Sequence, residues 1–254
     1  EVVKLAAGFV DEGKTVALLA SCSYMLRPWV QALRSHGLPF HNPYRPTRGD
    51  WNPLGRSTAK TTAAKDRLLA YLAMDESVYG DSARLWTGED IRLWTKFIKG
   101  QGVLRRGARE TIANLPNGEV SYEDVEDLFV SDEHLEAAVE PSLDWVKANL
   151  TSEGKKRLEL PLMIIRTRGA RALAATPGVV VGTIHSVKGA TTDVAIVAPD
   201  ISRASAKMWV QTDPEPRDGI ISQFFVAVSR AREGVVILEP KQGGHSVNLA
   251  DFVD

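Results

Sequence analysis

Four short apolar runs constrain this chain more than anything else in it. Thr15–Ser21 reads TVALLAS, and Val179–Ile184, Val194–Ala198 and Val235–Leu238 return to the same chemistry late in the sequence. None alternates polar with apolar residues. Thr15–Ser21 has the pattern of a strand buried on both faces of a parallel sheet, and the other three runs are apolar and β-branched, as strands are. A long stretch without strand character separates the first run from the other three. Neither group has enough strands for a core of its own, so the two ends must join in one sheet and the middle must be an insertion.

Local signals fill in the elements. Val2–Val10 places its apolar residues on one helical face, and Asp11–Lys14 reads as a helix end and turn. Residues 24–36 read as a helix with Pro28 in its first turn, stopped by Gly37. Leu38–Phe40 is a candidate edge strand. The proline-bearing stretch from His41 to Leu54 reads as an irregular loop or linker. From Ser57 to Glu159 helix follows helix, with N-cap signals at Thr87, Ser121 and Ser131. Residues 218–233 read as one more helix. The expected class is α/β: a sheet domain over residues 1–50 and 160–254, with an all-helical insertion over 51–159.

Composition narrows the function. The chain has 254 residues, with 31 basic against 32 acidic side chains and a formal net charge of −1. That excludes a globally basic coat protein but not a local phosphate-binding stripe. A lone cysteine, Cys22, excludes a disulfide framework. It reads as a small buried residue near a strand end. The five histidines lack the spacing of a zinc pair on one helix. No apolar run approaches membrane-spanning length and no signal peptide opens the sequence, so the sequence reads as a soluble intracellular chain, expected in the cytoplasm. The start at Glu1 suggests a processed chain or a piece of a longer one.

Two motif classes compete for the chemistry. Gly8–Thr15, GFVDEGKT, matches a phosphate loop, in which Lys14 would reach the phosphates and Thr15 would hold Mg²⁺, with Asp200 as a Walker-B-like partner. A working phosphate loop needs a strand before it and a helix after it; the pattern here is the reverse. The second class is Gly182–Gly189, GTIHSVKG, directly after a buried strand, together with Phe225–Arg232, FVAVSRAR, at the end of a helix. Small polar loops after strands are where α/β sheets take ligands.

GTIHSVKG, followed some forty residues on by FFVAVSRAR, resembles motifs V and VI of the UvrD/Rep-type superfamily 1 DNA helicases. ALLASCSYMLRPWVQALRSHGLPFHNPYR resembles their motif IV region. The resemblance covers the whole chain in family order. It implies the second RecA-like domain of a helicase with its inserted accessory domain, moving 3′ to 5′, with the Walker A and B motifs on an N-terminal RecA-like partner domain. By position, Arg230 and Arg27 are the expected arginines at the γ-phosphate. Gly189 and Thr191 fall at the nucleotide. Thr183, His185, Ser186 and Lys188 fall where the family faces single-stranded DNA. ATP and Mg²⁺ are the implied ligands of the complete enzyme; single-stranded DNA and single/double-strand junctions are the implied partners.

There are departures. Thr191 stands where the family has an acidic residue, Phe225 where it has Tyr, Ser222 where it has Arg and Ser229 where it has Thr. Should the insertion touch DNA, Lys96, Lys99, Arg105, Arg106 and Arg109 are its first candidates. Trp86, Trp94 and Trp145 read as core, and Trp209 as part of a polar surface loop. The alternatives are a self-contained phosphate-loop NTPase using Gly8–Thr15, and a degenerate helicase-like module that only binds nucleic acid.

Overall fold

A computed structural model describes residues 1–211 and 214–249, with only the backbone of Pro214. It divides into two compact units, residues 1–53 with 177–254 and residues 54–176.

The first unit opens with α1 (Val2–Asp11) and β1 (Val16–Ala20), then a 3₁₀ turn (Ser23–Leu26), α2 (Arg27–Ser35) and β2 (Phe40–His41). All five residues of β1 are buried, as a continuous apolar run demands. Pro28 sits in the first turn of α2, where its missing N–H costs nothing.

The helical unit contains α3 (Ala64–Tyr71), α4 (Glu76–Tyr79), α5 (Gly88–Trp94), α6 (Ala108–Asn114), α7 (Tyr122–Glu126), α8 (Asp132–Val139), α9 (Leu143–Asn149), α10 (Ser152–Arg168) and α11 (Ala170–Ala174). The three N-caps read from the sequence are present. Thr87 and Ser121 form full capping boxes with Asp90 and Asp124, and Ser131 accepts from the His134 N–H. Trp86, Trp94 and Trp145 gather around Tyr71, with ring centroids 5.2–6.4 Å apart; they are core, not stacking platforms. The unit extends past the expected boundary at 159. Leu158, Leu160, Ile164 and Ile165 of α10 and Leu173 of α11 pack into the same core. At the other end, Trp51 belongs to the core of the sheet unit.

The chain then returns to the sheet with β3 (Val179–Thr183), a 3₁₀ turn (Ile184–Val187), β4 (Thr192–Val197), β5 (Asp200–Ile201), α12 (Arg203–Trp209), α13 (Pro214–Val228), β6 (Ala231–Ile237) and β7 (His245–Ser246). The sheet has order β2-β3-β1-β4-β6 and every pairing is parallel. β5 and β7 form a separate antiparallel pair. Val16, Leu18 and Ala20 of β1 face the core with α1 and α2, while Ala17 and Leu19 face the core with α13. This is the expected α/β class: a parallel sheet covered by helices on both faces, accompanied by an all-helical unit. The last helix ends at Val228, earlier than the sequence suggests, because Ala231–Glu233 are recruited into β6. Among the described residues no helix is long and apolar enough to cross a membrane.

Candidate nucleic-acid and nucleotide interface

A parallel sheet has two distinct ends, and they sort the candidate residues. Arg27 follows the C-terminal end of β1, whereas Arg230 immediately precedes the first residue of β6. The sheet does not bring them together as a pair on one phosphate. Arg27 lines a groove with Ser23, Gln31, Arg34, Asp50 and Trp51. Arg230 lies at the opposite end, beside the residues that lead into β4.

Arg230 is wired to the GTIHSVKG segment. Its NH1 donates to the Ala190 carbonyl at 3.1 Å, its Nε to the Val226 carbonyl at 3.0 Å, and its NH2 to Ser229 Oγ at 2.8 Å. Its own carbonyl accepts from the Thr192 N–H at 2.9 Å. Gly189, one residue before Ala190, has φ +89°, a left-handed conformation that glycine adopts without strain. Gly189 and Thr191 are both exposed beside this turn.

Residues 183–191 run from the C-terminal end of β3 to the N-terminal end of β4, so one short segment links both ends of the sheet. At its upper end His185 and Lys188 are exposed in a groove shared with Tyr44, Arg45 and Ser186. Thr183 and Ser186 are spent on the fold instead. Thr183 Oγ1 accepts from the Ser186 N–H at 3.3 Å, and the buried Ser186 hydroxyl donates to the Thr183 carbonyl at 2.7 Å. Of the four residues expected to face DNA, only His185 and Lys188 present free side chains.

The phosphate-loop alternative is overturned by the order of elements. Gly8–Asp11 lie inside α1, and Lys14 and Thr15 enter β1 at its N-terminal end. Lys14 pairs with Glu12 at 3.2 Å and Glu233 at 3.4 Å. The Thr15 N–H and hydroxyl both donate to Asp193 Oδ2, at 2.8 and 2.7 Å, while Arg232 holds the other oxygen at 2.7 Å. Those two bonds from Thr15, then the Arg232 charge, hold the Asp193 carboxyl below its ordinary value. Asp200 lies beyond the far end of β4, where it accepts from the Lys241 N–H.

The basic cluster of the helical unit is mostly structural. Arg109 donates to the carbonyls of Thr95 and Ile98 at 2.7 and 2.6 Å, and Arg105 to the Phe129 carbonyl and Asp127. Lys99 donates to the Ala148 carbonyl. Lys96 and Arg106 remain exposed. Cys22 is half-buried, just past the end of β1. Trp209 is half-buried in the last turn of α12, with the Arg217 guanidinium 4.8 Å from its ring.

Sequence reasoning missed Asn42, Tyr44, Arg45 and Asn52, because a proline-bearing stretch reads as a linker. The signal was there in the two asparagines that bracket it, since Asn side chains stabilise turns. No protein-family model matches the chain, and no curated protein matches it.

Proposed function

We propose that the chain is the C-terminal motor half of an ATP-dependent superfamily 1 DNA helicase, its activity completed by an N-terminal RecA-like domain carrying the Walker motifs. One observation carries the reading: the Arg230 guanidinium holds the Ala190 carbonyl, in the segment that bears His185 and Lys188. A group suited to a γ-phosphate is thereby joined, at a point two residues from Lys188 and five from His185, to groups suited to a DNA backbone.

The chemistry follows from that wiring. Phosphoryl transfer spreads charge over the γ-oxygens, and a fixed guanidinium stabilises it. Three of its five N–H donors are used internally, and the two left can serve a phosphate held by the partner domain. A shift of the guanidinium toward that phosphate would pull on the Ala190 carbonyl and so on the segment carrying His185 and Lys188, and reciprocity requires that strand binding there bias the arginine. Arg230 fits the nucleotide; Arg27, at the other end of the sheet, does not join it. ATP and Mg²⁺ belong to the complete enzyme, whose partner domain supplies most of their ligands.

The test is ATP hydrolysis with Mg²⁺ and single-stranded DNA. The chain alone should not turn over. Joined to its N-terminal half it should, and Arg230→Ala should then lower the rate by about 10³-fold or more. Turnover by the isolated chain would defeat the proposal. A second reading, a module that binds nucleic acid without a motor, draws on the same arginine's three internal bonds and on Thr191 in place of a carboxylate. Strand binding by the joined protein without hydrolysis would select it.

A further inference from the structure

The segment between β2 and the helical unit is built, not slack. Successive turns close it, with the Arg45 N–H on the Asn42 carbonyl (3.1 Å), the Arg48 N–H on the Arg45 carbonyl (3.0 Å) and the Trp51 N–H on the Arg48 carbonyl (3.1 Å). Asn52 braces it from inside, donating to the carbonyls of Arg45 and Arg48 at 2.9 Å each. Trp51 is buried, with the Arg48 guanidinium 3.9 Å above its ring.

Asn42 ties this loop to the sheet. It is fully buried, and its Nδ2 donates to the Val181 carbonyl at 2.8 Å and to Ser186 Oγ at 3.3 Å. Its Oδ1 accepts from the Tyr44 N–H at 3.0 Å, and its own N–H donates to Asn52 Oδ1 at 2.9 Å. Buried polar groups are placed this firmly only when every bond is made. As a result Tyr44 and Arg45 stand on a rigid base beside His185 and Lys188.

The groove they share has no carboxylate in its lining. Tyr44 is 43% exposed, a large aromatic face left in solvent on a braced loop. Arg45, Lys188 and His185 supply donors around it. Cations at the backbone and an aromatic face for a base are what an unpaired strand requires; a duplex keeps its bases stacked away from such a face. We propose that Tyr44 is a base-stacking platform and Arg45 a phosphate contact of the same single-strand site as His185 and Lys188. The proposal rests on the helicase reading only for the class of ligand.

The test uses the 254-residue chain at low salt, with fluorescein-labelled oligothymidine and an abasic deoxyribose-phosphate strand of equal length, read by anisotropy. Tyr44→Ala should weaken oligothymidine binding about tenfold or more and leave abasic binding unchanged, and Tyr44→Phe should bind like the parent. Arg45→Ala should weaken both strands and reduce the slope of log affinity against log salt by about 1, as Lys188→Ala should. If Tyr44→Ala weakened both strands equally, its effect would come through the fold and stacking would be refuted. If His185→Ala and Lys188→Ala weakened binding while Tyr44→Ala and Arg45→Ala did not, the inference would fail and the helicase reading would stand. A parent chain that bound neither strand would overturn both.

Discussion

At the scale of single residues, the candidate site depends on one missing side chain. A Cβ on Gly182 would lie 2.4 Å from Ser186 Oγ and 2.5 Å from Asn42 Nδ2. Both atoms are pinned by buried hydrogen bonds and cannot swing aside freely. Gly182→Ala should therefore cost about 2 kcal/mol of stability, measured by chemical denaturation, through bonds broken or left unmade. Such a three-way fit is invisible in sequence, because Asn42 and Gly182 are far apart in the chain and meet only through the β2–β3 pairing. The separation of Arg27 from Arg230 was legible, by contrast. A residue following one parallel strand and a residue preceding another must lie at opposite ends of the sheet. The family resemblance joined the two arginines; the strand order separates them.

At the scale of elements, the helix starts were the most readable part of the chain, since a capping box is local chemistry written in four consecutive residues. Its packing was not readable. Gly88, the first residue of α5, has the Pro116 carbonyl oxygen 2.0 Å from where a Cβ would be. Backbone cannot yield as a side-chain tip can, so Gly88→Ala should destabilise the helical unit by about 3 kcal/mol, seen as a lowered thermal midpoint. Asp90 of the same box gives a pH prediction. Burial alone would raise its pKa, but hydrogen bonds from Arg84 and Thr87 outweigh that and hold it below the ordinary value. A depressed folded-state pKa adds stability above the unfolded value, and that stability is lost as pH falls from there through the folded value. Asp90→Asn should cost about 2 kcal/mol at pH 7. The difference in midpoint between parent and variant should shrink as pH drops below about 4. The end of the insertion was misread because α10 carries apolar residues that could serve either core. Only their contacts assign them to the helical one.

At the scale of the whole molecule, the chain crosses between its two units only at residues 53–54 and 176–177. The helical unit holds a continuous core of its own, from Leu54 and Leu68 through Trp86 and Phe129 to Leu173. Residues 54–176, expressed alone, should therefore fold with a single cooperative thermal transition. A transition without cooperativity in calorimetry would show that this core needs the sheet unit. The α/β class was legible because an unbroken apolar run such as that of β1, buried along its whole length, has few alternatives. The two-unit division was legible only in outline, since composition marks where strand chemistry stops and not where one core ends.

The bracketing of the β2 loop by Asn42 and Asn52 also has a practical consequence. Because both ends are fastened by side chains outside the tip, residues 43–50 behave like an interchangeable cartridge. A designer could exchange Tyr44 and its neighbours for other sequences while keeping Asn42, Trp51, Asn52, Gly182 and Ser186 as the fixed socket. Natural variation could do the same, retuning what the groove grips without rebuilding the sheet beneath it.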